Sequence, residues 1–162
     1  GEVLMSLFRD RKDQWIYRSY SKDGGRTWTK AERTQIPNNN SGLQVTVLRS
    51  GALCLVFNNR NGLRRFPLSI ALSYNDGLTW PFVRDVERGP GPGGDPVPLA
   101  DRQKRVYSYP AVAEDAGVEG GIHVAYTWRR SAIKHVRVTE DWIREGAGAS
   151  AVRPKVLCWG VE

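Results

Sequence analysis

Short runs in which apolar and polar side chains alternate recur along most of the chain, with turn residues between them. A period of two over four to eight residues predicts a β-strand, because successive side chains of a strand point to opposite faces. The runs form three sets, with strands predicted at residues 3–8, 15–20 and after Trp28; at 43–48, 52–57, 68–72 and after Trp80; and at 109–113, 122–128 and 133–138. Beyond them, residues 139–142 predict a helical turn and residues 152–161 a further strand.

Sets of about four short strands are typical of the blades of a β-propeller. We therefore predict an all-β fold with blades of four antiparallel strands. One partial domain is expected over residues 1–162, with blade units at about 1–36, 37–88 and 106–162. About two and a half blades leave sheet faces uncovered, whereas a propeller closes on itself. We expect that either chain upstream of residue 1 or protein partners cover the open edges.

Two eight-residue segments share the pattern S-x-[DN]-[DG]-G-x-T-W, and they begin 73 − 21 = 52 residues apart. Each lies between two predicted strands, so each is interpreted as a hairpin turn. Asp and Asn bond the backbone of such turns, and Gly adopts the positive φ that they need. The alternative, a calcium loop, is disfavoured because the acidic ligand that ends such a loop is missing. The predicted structural residues are Ser21, Asp23, Gly25, Thr27 and Trp28, and Ser73, Asn75, Gly77, Thr79 and Trp80.

The chain has 24 Lys and Arg against 17 Asp and Glu, a net charge of +7. The basic residues are scattered and no nucleic-acid-binding motif is present, so no nucleic-acid partner is expected. The charge is interpreted as a solvated basic surface, or as one that attracts acidic glycans or membrane headgroups. No apolar run approaches 18 residues, so no membrane span is expected.

Cysteine, histidine and the loop residues add little chemistry. Cys54 and Cys158 are predicted to be free buried thiols, and His123 and His135 lack the spacing of metal ligands, so no metal or cofactor is expected. Residues 89–105 are rich in Pro and Gly and predict an irregular loop. This loop is interpreted as a solvated excursion, with a partner-binding arm as the alternative.

Five further segments carry a resemblance to a known family: FRDR at residues 8–11, IPNNNSG at 36–42, RFPLSIALS at 65–73, YSYPA at 107–111 and HVAYTWRR at 123–130. In order and spacing they resemble the C-terminal half of sialidase-like proteins with BNR, or Asp-box, repeats. The resemblance covers about residues 3–143. It implies a six-bladed propeller, of which this chain holds about the last three blades.

Sialidases bind a sugar carboxylate with three arginines and use a tyrosine as nucleophile. Arginine suits a carboxylate because its planar fork bonds two oxygens. The tyrosine replaces the usual second carboxylate of glycosidases. The resemblance places Arg9 at the second arginine, Arg65, eight residues before Ser73, at the third, and Tyr109 at the nucleophile. Tyr107, two residues earlier and expected on the same face, is its rival.

Asn39, Asn40 and Asn58 are weaker candidates as polar groups lining the same site. In the competing interpretation, Arg9 pairs with Asp10 or Asp13 at the surface. Arg65 is then a solvated edge residue beside Arg64, and Tyr109 packs beside Pro110.

The first arginine, the acid/base aspartate and the activating glutamate of the family should all precede residue 1. Without a base, tyrosine is a poor nucleophile at neutral pH. Two hypotheses follow. The chain belongs to a sialidase-type exo-glycosidase acting on acidic glycans and is incomplete as a catalytic unit. Alternatively, it is a non-catalytic propeller that binds glycans or serves as a scaffold in a larger assembly.

Overall fold

A computed structural model describes residues 3–12, 14–62, 64–89 and 106–146, and the backbone of 156–160. The described elements are β1 Leu4–Phe8, β2 Trp15–Ser21, β3 Glu32–Pro37, β4 Gln44–Val47, β5 Leu53–Asn58, β6 Leu68–Ser73, β7 Phe82–Glu87, β8 Tyr107–Glu114, β9 Gly121–Trp128, β10 Ala132–Thr139, α1 Glu140–Arg144 and β11 Val156–Gly160. The prediction of an all-β fold is confirmed, and each predicted strand overlaps a strand of the structure. Most of the predicted loop, residues 90–105, lies outside the described residues.

The strands form three antiparallel sheets in chain order: β1-β2-β3, β4-β5-β6-β7 and β8-β9-β10-β11. Within each sheet every strand pairs with its neighbour in sequence, and α1 follows β10 before the chain returns as β11. The predicted helical turn is α1, whose N-cap Thr139 accepts a hydrogen bond from the backbone N–H of Trp142. No helix in the described part of the chain has the length and apolar character needed to span a membrane.

The second sheet packs on both of its faces, and this explains the apolar run in β5. On one face Cys54, Val56, Ile70 and Leu72 pack with side chains of the third sheet. On the other face Leu55, Phe57 and Ala71 pack with Ile16 and Ile36 of the first sheet. Burial on both faces removes the need for alternation, because no face of β5 meets water.

Cys54 is a free thiol with no exposed surface, as predicted. Burial, followed by the charge of Glu140, raises its pKa to about 12. A thiol that stays protonated in an apolar core behaves as a small hydrophobic side chain. The side chain of Cys158 lies outside the described residues.

Candidate ligand-binding site

Antiparallel pairing brings the predicted site residues to one end of the sheets. Phe8 and Asn58 end their strands there, and Leu68 and Tyr107 begin theirs. We call this the arginine end, defined by residues 9–12, 38–42, 58–62, 64–67, 107–109 and 128–131. The opposite end, which carries both repeated turns, is called the box end.

Arg9 lies at the arginine end, directly after β1, and is exposed. Its Nη1 donates to the backbone carbonyl of Asn40 at 3.4 Å. The Asn38 side chain stabilises this contact, because its Oδ1 accepts from the backbone N–H of Asp10 at 3.3 Å and of Asn40 at 2.8 Å. Arg9 forms no ion pair with Asp10 in the structure, and Asp13 lies outside the described residues. Its part in ligand binding stays a prediction.

Arg65 and Tyr109 are in contact across the second and third sheets. The Arg65 guanidinium carbon lies 5.2 Å from the centre of the Tyr109 ring, a cation–π geometry. The backbone carbonyl of Arg65 accepts from the N–H of Tyr107 at 3.0 Å, which fixes the loop before β6 against the start of β8. A Cβ at Gly42 would lie 3.6 Å from Cδ1 of Tyr109, so the loop before β4 passes beside the ring.

The expectation that Tyr107 and Tyr109 share a face is wrong. Tyr107 is 1% exposed and packs edge-on against Tyr126, whereas Tyr109 is 68% exposed. The register of β8 with β9 shifts between Ser108 and Ala111, and Tyr109 has a φ of 52°. Such a bulge adds a residue and redirects the side chain that follows. Of the two tyrosines, only Tyr109 presents its ring to solvent at this end.

Asn39 and Asn58 lie below the surface of the site. Asn58 is fully buried, and its Nδ2 donates to the carbonyls of Pro67 and Tyr107, both at 3.2 Å. Asn39 is 5% exposed and donates to the carbonyl of Arg64 at 2.6 Å. In this geometry both amides position the backbone beneath Arg65 and Tyr109, and whether either contacts a ligand stays a prediction.

Several buried polar atoms at this end have no hydrogen-bond partner among the described residues. They are Asn38 Nδ2, Asn39 Oδ1, Ser41 Oγ, Asn58 Oδ1 and Trp128 Nε1. Buried polar groups are satisfied in more than about 90% of cases, so such a concentration is unusual. It indicates a place where a polar ligand or ordered water completes the hydrogen bonding.

Five arginines at the arginine end form no ion pair with a described carboxylate, whereas four arginines elsewhere do form ion pairs. In the described part of the chain, Arg18, Arg49, Arg137 and Arg144 all form ion pairs away from this end. At the arginine end, Arg60 donates to backbone carbonyls and Arg64 lies over the Phe66 ring. No ion pair with a described carboxylate is found for Arg9, Arg60, Arg64, Arg65 or Arg130. The positive charge of these five arginines is therefore not paired with a described carboxylate.

The family model of the BNR repeat-like domain matches residues 1–124. The chain belongs to this family. The resemblance inferred from the sequence is thereby confirmed, and the three sheets are those of a propeller-like fold. The blade count of the closed propeller stays a prediction. No curated protein matches the chain.

The two repeated turns of this BNR repeat-like domain use the same hydrogen bonds. Ser21 Oγ and Ser73 Oγ accept from the N–H groups of Gly25 and Gly77, at 2.8 and 3.0 Å. The side chains of Asp23 and Asn75 each bond a threonine: Asp23 accepts from Thr27 N–H at 2.9 Å, and Asn75 accepts from Thr79 N–H at 2.9 Å. The indole N–H of Trp28 and of Trp80 donates to the carbonyl of Gly25 and of Gly77, respectively.

These turns stabilise the hairpins and lie at the box end, away from Arg65 and Tyr109. There they also join the first two sheets, because Arg18 Nη1 donates to the carbonyl of Gly77 at 2.5 Å. Four further residues of the arginine end were not predicted as site residues from the sequence: Arg60, Arg130, Asn38 and Ser41. The run Asn38 to Ser41 was the available signal, since four consecutive small polar residues between strands favour a loop held by side-chain hydrogen bonds.

Proposed function

We propose that the arginine end binds the carboxylate of an acidic sugar. The observation that carries this proposal is the half-buried guanidinium of Arg65, which stacks on the exposed Tyr109 ring and has no carboxylate partner in the described structure. A cation held in this way has its donors free for an anion, and bonds between arginine and a carboxylate are short and directional. The exposed ring offers an apolar surface beside that anion.

The remaining features of the arginine end support the same ligand. Arg9 contacts the backbone carbonyl of Asn40 and adds a second cation to this end. The unsatisfied atoms of Asn39 and Ser41 lie beneath this surface, where ordered water can connect them to the hydroxyl groups of a sugar. A neutral sugar would use the hydroxyl contacts and leave the arginines unpaired.

Calorimetric titration with N-acetylneuraminic acid and with its methyl ester tests the charge dependence. The ester keeps every hydroxyl group and removes the anion, so we expect the acid alone to bind. Arg65→Ala is expected to weaken binding about tenfold or more, because a hydrogen bond to a charged group contributes about 1.5–3 kcal/mol. Arg65→Lys keeps the charge but lacks the planar fork of arginine. Its affinity is expected to lie between those of the unchanged chain and Arg65→Ala.

Arg26→Ala is the matched control, since Arg26 is an exposed arginine of the first repeated turn at the box end. It is expected to bind as the unchanged chain does. Equal affinity for the acid and its methyl ester, or equal losses in Arg26→Ala and Arg65→Ala, would refute the proposal. Circular dichroism of each variant separates lost binding from lost folding.

A finer proposal is that Tyr109 acts as the nucleophile of a sialidase-type hydrolysis. Its Oη would bond to the anomeric carbon as the glycosidic bond breaks, the phenolic proton would pass to a base, and the leaving alcohol would take a proton from an acid. Water would then displace the tyrosine from the anomeric carbon and release the free sugar. Among the described residues no carboxylate contacts Tyr109, so the base would come from another part of the site. The second candidate, a glycan-binding module without turnover, is favoured by this same observation.

A fluorogenic sialoside separates the two candidates. If the unchanged chain hydrolyses the sialoside and Tyr109→Phe does not, the result supports Tyr109 as the nucleophile. Binding of N-acetylneuraminic acid without hydrolysis, unchanged in Tyr109→Phe, supports the binding module.

A further inference from the structure

The hairpin between β9 and β10 has an unusual turn. Ser131 N–H donates to the carbonyl of Trp128 at 3.1 Å, and the two residues between them, Arg129 and Arg130, have φ values of 52° and 58°. Turns with positive φ at both central positions strongly favour Asn-Gly or similar pairs. Here two arginines occupy these positions. The left-handed conformation costs a residue with a Cβ about 1–2 kcal/mol.

The strain is concentrated at the arginine end. Within the described residues, five non-glycine residues have positive φ: Asn40, Asp76, Tyr109, Arg129 and Arg130. All but Asp76, which belongs to the second repeated turn, lie at the arginine end. Backbone strain of this kind collects at ligand-binding and catalytic sites, where function keeps residues that stability alone would replace.

The turn is joined to the strand that carries Tyr109. The backbone N–H of Arg129 donates to the carbonyl of Val106 at 2.9 Å, and Tyr107 pairs with Trp128. The guanidinium carbon of Arg129 lies 4.1 Å from the centre of the Trp128 ring, so this side chain is held against the sheet. Arg130 is exposed, and no ion pair or hydrogen bond of its side chain is found within the described part of the chain.

The register gives the spacing between Arg130 and Tyr109. Tyr109 lies in the bulge beside Tyr126, and the turn begins beyond Trp128. At about 3.3 Å per residue, the tip of the turn is roughly 10 Å further along the strand direction than Tyr109. The Arg65 guanidinium lies over the Tyr109 ring, so the backbone of the turn is roughly the length of a disaccharide from that ring.

We infer that Arg130 binds a second anionic group of the same glycan, one residue along from the acidic sugar at Arg65. The preferred ligand is then an oligosaccharide with two successive anionic sugars rather than one acidic sugar on a neutral glycan. This inference rests on the proposed function, because it assigns the second contact of a ligand whose first contact is Arg65. The positive φ of Arg130 serves the hairpin turn, but such turns favour Asn-Gly pairs, and no ion pair of the exposed Arg130 charge is found within the described residues.

The test compares two disaccharides of equal length on the full chain by calorimetry. One has two N-acetylneuraminic acids joined by an α2,8 link, and the other has one N-acetylneuraminic acid joined α2,6 to galactose. The unchanged chain is expected to bind the doubly acidic ligand about two- to fivefold more tightly, the range that one exposed ion pair gives. In Arg130→Asn the asparagine tolerates the left-handed backbone and removes the charge. This variant should abolish the difference in affinity between the two disaccharides without weakening the binding of the singly acidic one.

Arg130→Lys keeps the charge and should retain most of the difference. Arg130→Gly relieves the backbone and should raise the Tm while losing the difference, which a merely structural arginine would not do. The inference is overturned if the singly acidic ligand binds and the doubly acidic ligand binds no better, or if Arg130→Asn weakens both ligands equally. If neither ligand binds the unchanged chain, the proposed function itself fails.

Discussion

The contact between Glu87 and Lys134 joins the second and third sheets, and its removal is expected to destabilise the fold strongly. Glu87 ends β7 and Lys134 lies in β10, and the two side chains are 8% and 16% exposed. The hydroxyl of Tyr126 donates to the same carboxylate oxygen that the Lys134 ammonium contacts. Charges buried to this extent are stable only as a pair, because each alone is poorly solvated.

The expected magnitudes follow from that burial. Glu87→Leu leaves the ammonium of Lys134 buried without its carboxylate and removes an acceptor from Tyr126. Loss of one partner of a buried pair lowers the free energy of unfolding by about 3–5 kcal/mol. Glu87→Leu together with Lys134→Met removes both charges, and the double variant should lose less than Glu87→Leu alone. We therefore expect a coupling energy of about 2–3 kcal/mol.

Urea unfolding of the unchanged chain, both single variants and the double variant gives this coupling energy as a double-mutant cycle. The pair Asp141 and Arg144 is the control, because its side chains are 76% and 45% exposed. Exposed pairs contribute about 0.2–1 kcal/mol, so its cycle should give well under 1 kcal/mol. A Glu87–Lys134 coupling no larger than that of the control would refute the reasoning that burial makes this pair matter.

Two further predictions concern the repeated turns. Hydrogen bonds from Thr27, first its hydroxyl and then its N–H, lower the pKa of Asp23 from 3.8 to about 2. The stability that ionised Asp23 adds is therefore present above about pH 4 and is lost as the pH falls through about 2. Asp23→Asn should reduce the loss of urea stability between pH 5 and pH 2, and an unchanged loss would contradict this. Gly77→Ala places a Cβ 2.8 Å from Sδ of Met5, whereas a Cβ added at Gly24 has no atom within 4 Å. The φ values of Gly77 and Gly24 are nearly equal, at 75° and 73°, so the two variants differ mainly in this steric contact. In urea unfolding, Gly77→Ala should destabilise by about 1–3 kcal/mol more than Gly24→Ala, the range for overpacking, and equal effects would exclude a steric contribution.

The strands and the repeated turns could be predicted from the sequence because their causes are local. Alternation of side chains indicated β2, and the box pattern gave the turn that follows it. The second box has Asn75 where the first has Asp23, and both make the same threonine contact. Both residue types offer a side-chain oxygen to the backbone, so the substitution leaves the turn unchanged.

The direction of side chains at the arginine end could not be predicted, because it depends on a bulge and on contacts between sheets. A regular strand would place Tyr107 and Tyr109 together, and only the register shift separates them. The contact between His123 and His135 could not be predicted from the sequence for the same reason. His123 and His135 are 12 residues apart, yet Nδ1 of His123 lies 2.8 Å from Nε2 of His135 across β9 and β10. Such contacts follow from register, which no local pattern specifies.

The arginine end combines three features that a stable fold would be expected to avoid: unneutralised arginines, buried polar atoms without partners, and left-handed residues other than glycine. Each lowers stability, and the well-packed faces of the second sheet offset them. Tyr109 and Asn40 show that the features coincide, since each has positive φ and each contacts an arginine. Most of the buried unsatisfied atoms and left-handed residues gather around one cationic surface, and this agrees with the proposed binding of an anion. For this reason variants that relieve the left-handed backbone at Arg130 should gain stability as they lose affinity, and variants in the repeated turns should lose stability alone.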